Sequence, residues 1–177
     1  MGEGYHYGSM HTDAVLDAFG IEWMAQNGGT YHFYLDAESG KPLSVEFYTG
    51  WAEAVRSYSR SRSANKVTLE PCVYLNANDG NTLRTLRKAM EDNGARCLGL
   101  WVAGYMHFDN SRCPRPGEWE DNAVKLASPV EAPIRIWQYC GDCYAKWNKP
   151  DRVLDVNQLN PANQYETLAA FIPAPAH

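Results

Sequence analysis

Acid–base chemistry first suggests itself in the run Tyr31-His32-Phe33-Tyr34-Leu35-Asp36-Ala37-Glu38. Most of the run is aromatic or aliphatic, and Gly28-Gly29 ahead of it breaks any helix, so it reads as a β-strand. Residues two apart on a strand face the same way. Asp36 and Glu38 then stand beside Tyr34 and His32, with Phe33, Leu35 and Ala37 on the opposite side. Helices can cover the apolar set while the polar set lines a cleft. Two neighbouring carboxylates drive their proton affinities apart, so that one holds a proton near neutral pH while the other is ionised. Glycoside hydrolysis uses such a pair: an acid protonates the leaving oxygen and an anion steadies the cationic transition state. An isolated Asp-x-Glu is a short pattern, and a strand ending in solvent with two charges looks the same.

The elements that must position this pair follow from periodicity. Tyr5-His6-Tyr7 reads as a short strand ended by Gly8-Ser9. A helix is predicted over residues 13–27, with Thr12 as N-cap and Val15, Phe19 and Trp23 as its buried stripe. After the 31–38 strand and the Gly40-Lys41-Pro42 turn, a helix over 44–61 carries Phe47, Trp51, Ala54 and Val55 on its inner face. Arg56, Arg60, Arg62 and Lys66 make its end basic, which suits the helix dipole. A strand at 67–75, a helix at 79–93 stopped by Gly94, and an apolar strand at 97–105 follow, the last reading as buried on both faces. A polar, Pro-containing loop occupies 107–117, and a short helix is expected over 118–127. Strands at 134–139 and 152–157 are joined by loops, and a last helix lies over 161–171. Alternation of this kind indicates an α/β fold with a parallel sheet, and a barrel of this type places its active site at the C-terminal strand ends. Asp36 and Glu38 sit at such an end, as do Tyr74, Asn76, Tyr105, Gln138, Tyr139, Asp155 and Asn157. One domain over residues 1–172, with a loose Pro-Ala tail at 173–177, accounts for the chain.

Composition excludes several classes. With 177 residues, 45% hydrophobic and 21% charged, the chain suits a globular domain with a sizeable core. A net charge of −5 and no dense Lys/Arg block argue against nucleic acid as a partner. No apolar run reaches the roughly 20 residues of a membrane span, and Met1-Gly2-Glu3-Gly4 lacks the features of a secretory signal. Five cysteines, an odd number, do not suggest a disulfide scaffold, and reduced or incidental thiols are the expectation. Cys140-Gly141-Asp142-Cys143 has knuckle spacing without a second ligand pair, so neither metal nor cofactor is expected. Six Trp and eleven Tyr supply flat rings suited to sugar clefts, although most such rings serve cores.

In order, these segments resemble glycoside hydrolase family 25, the muramidases of fungi and phages. Tyr5-His6-Tyr7 is similar to the family's Tyr-His-Phe strand, and Leu35-Asp36-Ala37-Glu38 to its Leu-Asp-x-Glu catalytic strand. Cys72-Val73-Tyr74 is similar to a strand bearing a Tyr, and Leu100-Trp101-Val102-Ala103-Gly104-Tyr105 to the Leu-Trp-Ile-Ala-x-Tyr strand. Ile136-Trp137-Gln138-Tyr139 and Leu154-Asp155-Val156-Asn157 resemble the closing Trp-Gln-Tyr and Val-Asp-Leu-Asn pair. The resemblance spans roughly residues 4–160 and implies an irregular TIM-type (β/α) barrel. The family begins with two further strands, the first bearing another Asp, so about six of the roughly eight barrel strands are expected here. A fragment, a split gene and a degenerate copy are three readings of that difference, and unpaired edges invite a partner chain or a second copy.

The activity so implied is cleavage of the β-1,4 bond between N-acetylmuramic acid and N-acetylglucosamine in peptidoglycan glycan strands. Glu38 is then the general acid. Asp36 stabilises the cationic intermediate or orients the substrate acetamide, and Asp155 adds negative charge across the cleft. Tyr5, Tyr34, Tyr74, Trp101, Tyr105, Trp137, Gln138 and Asn157 are the substrate-binding candidates. His6 and His32 are within reach of the rim, with a satisfied structural role the expectation for each. Two other classes stand beside the enzyme: a carbohydrate-binding or virion structural protein that keeps the fold without the chemistry, and a subunit completed by a partner. A phage lysin would pass from host cytoplasm to cell wall, whereas a structural protein would be virion-associated.

Overall fold

The computed structural model describes residues 2–38, 42–107, 119, 125–143 and 154–171. Helices α1 (Gly2–Phe19) and α2 (Ile21–Gln26) precede β1 (Thr30–Asp36), α3 (Val45–Arg62), β2 (Thr68–Asn76) and α4 (Gly80–Asn93). They are followed by β3 (Leu100–His107), β4 (Ile134–Cys143), β5 (Leu154–Leu159) and α5 (Gln164–Ala169). The strands form one sheet in the order β1-β2-β3-β4-β5. It curls into a half-barrel, compatible with part of a β/α barrel. The first four strands are parallel and β5 is antiparallel to β4.

Period-two alternation divides the sheet into two faces. Tyr31, Leu69, Val73, Leu75, Leu100 and Val102 are buried in the main core with Trp51, Val55, Leu83 and Leu86 of the covering helices. Phe33 stacks on Trp51 of α3 at 5.9 Å between centroids. Local signals fix the helix ends: the Ser44 side chain accepts from the Phe47 N–H, and Asp79 accepts from Asn81 and Thr82. Gly94 ends α4 in the left-handed conformation. Arg60 and Arg62 stand in the last turn of α3, where the helix dipole favours them, and three of the four cations are also paired within the chain. Arg56 bonds Glu70, Arg62 lies against Asp13 and Asp17, and the ammonium of Lys66 against Glu22.

The N-terminal segment differs from the sequence expectation. Tyr5, His6 and Tyr7 belong to α1 rather than to a strand, so the described sheet has five strands. The reason is a stripe of small residues at helical spacing. Gly4, Gly8 and Thr12 are buried along α1, followed by Leu16. This stripe lets the backbone of α1 approach α3 closely: a Cβ on Gly8 would stand 2.7 Å from the Ala54 Cβ and 2.8 Å from the Trp51 carbonyl oxygen. Packing of two helices thus overrides the strand preference of three aromatic residues. Thr12 lies in mid-helix instead of capping one. The expected helix over 13–27 is broken at Gly20, whose φ of 79° no helix accepts.

Smaller corrections follow from the same geometry. β3 is less fully covered on its second face, where Ala103 is buried but Trp101 and Tyr105 are only half-buried. β5 runs antiparallel because residues 144–153 form a link shorter than a parallel crossover requires. Residues 125–127 are not helical, and the remainder of the helix expected over 118–127 is outside the described residues save Trp119. Of the loop expected over 107–117, His107 belongs instead to β3, and the remainder lies outside the described residues, as does the tail at 173–177. Cys72, Cys97 and Cys140 are buried thiols, but Cys143 is disulfide-bonded, which corrects the expectation of thiols throughout. Cys113 is outside the described residues.

Gly8→Ala is expected to lower stability by about 1–3 kcal/mol through overpacking at the α1–α3 contact. Gly2→Ala, where the added methyl meets nothing within 4 Å, should be neutral or slightly stabilising. Urea denaturation of both variants measures the difference.

Candidate functional site

β1 delivers its two carboxylates through a local turn. The Asp36 Oδ1 accepts the backbone N–H of Glu38 at 2.9 Å, so one acid shapes the turn that presents the other. Both side chains are exposed at the C-terminal end of the strand. Asp36 stands in register with Tyr74, and Tyr74 with Trp101. Tyr34, Tyr74 and Trp101 pack edge to face, with Trp101 5.8 Å from Tyr34 and 5.3 Å from Tyr74. The Trp101 indole N–H donates to Asn157 Oδ1 at 2.8 Å, tying β3 to β5 across the concave face.

Gln138 is the centre of this face. Its side-chain carbonyl accepts from the Tyr74 hydroxyl at 2.7 Å, and its amide donates to the Tyr105 hydroxyl at 3.1 Å. It is only 3% exposed. It therefore works as a brace holding two phenols, which differs from the expectation that it contacts substrate directly.

Electrostatics draw the carboxylates into the same neighbourhood. Burial raises the Tyr74 phenol well above its ordinary value, reinforced by the charge of Glu38. Burial also raises Tyr105, and the next causes are the charges of Asp155 and Glu38. Asp155 accepts the Asp142 N–H at 3.3 Å, and its Oδ1 and the Tyr105 ring both crowd the space above Gly141. Glu38, Tyr74, Tyr105 and Asp155 thus meet at one end of the half-barrel, with negative charge on both flanks and flat rings between. Such a surface suits an uncharged polyhydroxylated ligand, whose C–H faces stack on rings and whose hydroxyls meet carboxylates.

Two candidates lie elsewhere. Trp137 is 2% exposed on the face opposite Gln138, where its ring meets Trp119 and Tyr139 and its N–H donates to the Gly104 carbonyl at 2.9 Å. Alternation forces this: with Gln138 turned inward, both of its neighbours must turn outward. Tyr5 lies on α1, 42% exposed, close enough to Tyr58 of α3 to influence its phenol, and therefore on the helical side of the sheet. His6 is exposed on the same helix. His32 faces the concave side but is not the satisfied histidine expected, because its buried Nδ1 has no hydrogen-bond partner.

The sequence reading missed Asp142, whose N–H meets Asp155. The Gly141-Asp142 turn pair in mid-strand is the available signal, and it stands inside the Cys-x-x-Cys spacing that reads as a metal knuckle. Among the described residues no group of three or more His, Cys, Asp or Glu is placed to hold a metal ion. No described helix is long and apolar enough to cross a membrane.

No family model, curated protein or solved structure matches the chain.

Gln138→Leu removes the shared partner of two tyrosine hydroxyls while keeping the volume. It is expected to cost about 1–3 kcal/mol and to let both phenols reorient. Urea denaturation, together with near-ultraviolet circular dichroism of the tyrosine band, reads both effects.

Proposed function

We propose that the chain is a peptidoglycan-directed glycosidase of muramidase type, its sheet forming part of an incomplete β/α barrel. The observation that carries this reading is the convergence of Glu38, Tyr74, Tyr105, Gln138 and Asp155 toward one end of the half-barrel, the C-terminal end of the parallel strands and the N-terminal end of antiparallel β5. In this reading Glu38 donates the proton to the glycosidic oxygen. Asp36 holds the turn beneath it and supplies charge, or orients the substrate acetamide. Asp155 contributes negative potential from across the cleft to a cationic transition state. Tyr34, Tyr74, Trp101 and Tyr105 offer rings to the sugar faces, and Asn157 fixes Trp101. The resemblance to glycoside hydrolase family 25 supports the assignment along β1 to β5. It loses its first segment, since Tyr5, His6 and Tyr7 are helical.

A second reading has its own support. The sheet is curled but open, and Asp155 and Asn157 lie exposed on the last strand. A partner chain or second copy pairing along a sheet edge would complete the cleft. Mass measurement in solution separates this arrangement from a monomer.

Clearing of a peptidoglycan suspension tests the main reading. The native chain should reduce turbidity, and Glu38→Gln should slow clearing by about 10²–10⁴-fold, as loss of a general acid does. Asp155→Asn should slow it less. Sedimentation of the chain with insoluble peptidoglycan, without clearing by either form, would replace catalysis with binding.

A further inference from the structure

The floor of the half-barrel, at the opposite end from the carboxylates, holds a buried cation without a full counter-charge. Arg135 enters from the start of β4, where the register shifts. Its stem lies across Gly99, so closely that a Cβ there would stand 2.6 Å from the Arg135 Nε, and the Nε donates to the Leu98 carbonyl at 3.1 Å. The Arg135 side chain is 9% exposed, and its Nη1 is buried with no hydrogen-bond partner. The Glu166 carboxylate approaches to 3.6 Å, beyond hydrogen-bond reach, from a side chain that is 77% exposed. Glu70 is already engaged by Arg56 at 3.4 Å and Arg96 at 2.7 Å.

Two further buried polar atoms lie near this guanidinium. His32 and Tyr34 lie on the same face of β1 with ring centroids 6.3 Å apart, and the charge of Arg135 reaches both. Neither His32 Nδ1 nor the Tyr34 hydroxyl has a partner. The end of α5 meets β1 here: Thr167 and Ala170 are buried, and the Ala170 carbonyl accepts the His32 backbone N–H at 3.0 Å. A buried charge is costly unless it is both paired and hydrogen-bonded, and the Arg135 Nη1, within an ion-pair distance of Glu166 but without a hydrogen bond, calls for an acceptor.

We propose that this floor is a binding site for a small monovalent anion, a halide or a single carboxylate, held by Arg135 Nη1, the Tyr34 hydroxyl and His32 Nδ1–H. The anion joins β1, β4 and α5. The site uses none of Asp36, Glu38 and Asp155, but it shares Tyr34 with the proposed sugar face, where the ring packs on Trp101, so its test reads anion binding and not clearing.

The probe is bromide, compared with gluconate at equal ionic strength, since gluconate is too bulky for a floor covered by α5. Bromide should raise the melting temperature along a saturating curve where gluconate does not. Crystals grown in bromide should show an anomalous peak within hydrogen-bond distance of Arg135 Nη1. Tyr34→Phe, which keeps the ring and the charge of Arg135, should weaken bromide about tenfold. Glu166→Gln, an exposed change that removes a competing negative charge, should tighten it. Burial and the Arg135 charge lower the His32 imidazole to about 4, opposed in part by Glu70 and Glu166. Bromide should therefore raise its titration midpoint in NMR. Equal effects of the two salts, a peak elsewhere as an adventitious ion only, or bromide affinity unchanged in both variants would overturn the proposal.

Discussion

The structure depends on covering one face of the sheet and only one. Helices α1, α3 and α4 lie against the side that carries Phe33, Val73, Leu75 and Val102, and the apolar surface they remove from water is the main stabilising term. Because strands alternate, burying that set commits Tyr34, Tyr74, Trp101, Tyr105 and Gln138 to the concave side as a group. No separate device is needed to gather them. A slip of one residue in any strand would exchange the faces and place Glu38's neighbours under the helices.

Contact between α1 and α3 is what makes the cover continuous over β1. Gly4 and Gly8 allow backbone to touch backbone, and the gap between the helices closes without large side chains. Around it are placed polar ties: the Trp51 indole to His11, the Tyr58 hydroxyl to Asp13, and Arg62 to Asp13. β1 is thus held rigidly against α3 by the stacking of Phe33 on Trp51. The turn beyond it carries Asp36 and Glu38 from a fixed base.

Much of this was legible in the sequence. The strand at 31–38 and its split into an apolar and a polar face follow from alternation alone, and Ser44, Asp79 and Gly94 announce the helix ends by their own chemistry. Tyr5 to Tyr7 misled because aromatic residues favour strands locally, whereas the decisive signal was glycine every fourth residue, which matters only when a partner helix is present. Trp137 misled for another reason. In Trp137-Gln138-Tyr139 either parity gives a sensible strand, and only the pairing of Gln138 with Ala103 and Asn157 decides it. Arg135 was invisible as a buried cation, since nothing local distinguishes it from a surface arginine at a strand start.

The reversal of β5 decides at which end of the half-barrel the chain leaves its last described strand. A fifth parallel strand would leave the chain at the rim, and whatever followed would have to cross above Glu38 and Asp155. Running the other way, β5 delivers the chain to the opposite end, where α5 turns beneath the strands and its last carbonyl meets β1. As built, the first strand and the last helix of the described chain are joined at the end away from the carboxylates, by the backbone bond from His32 to Ala170.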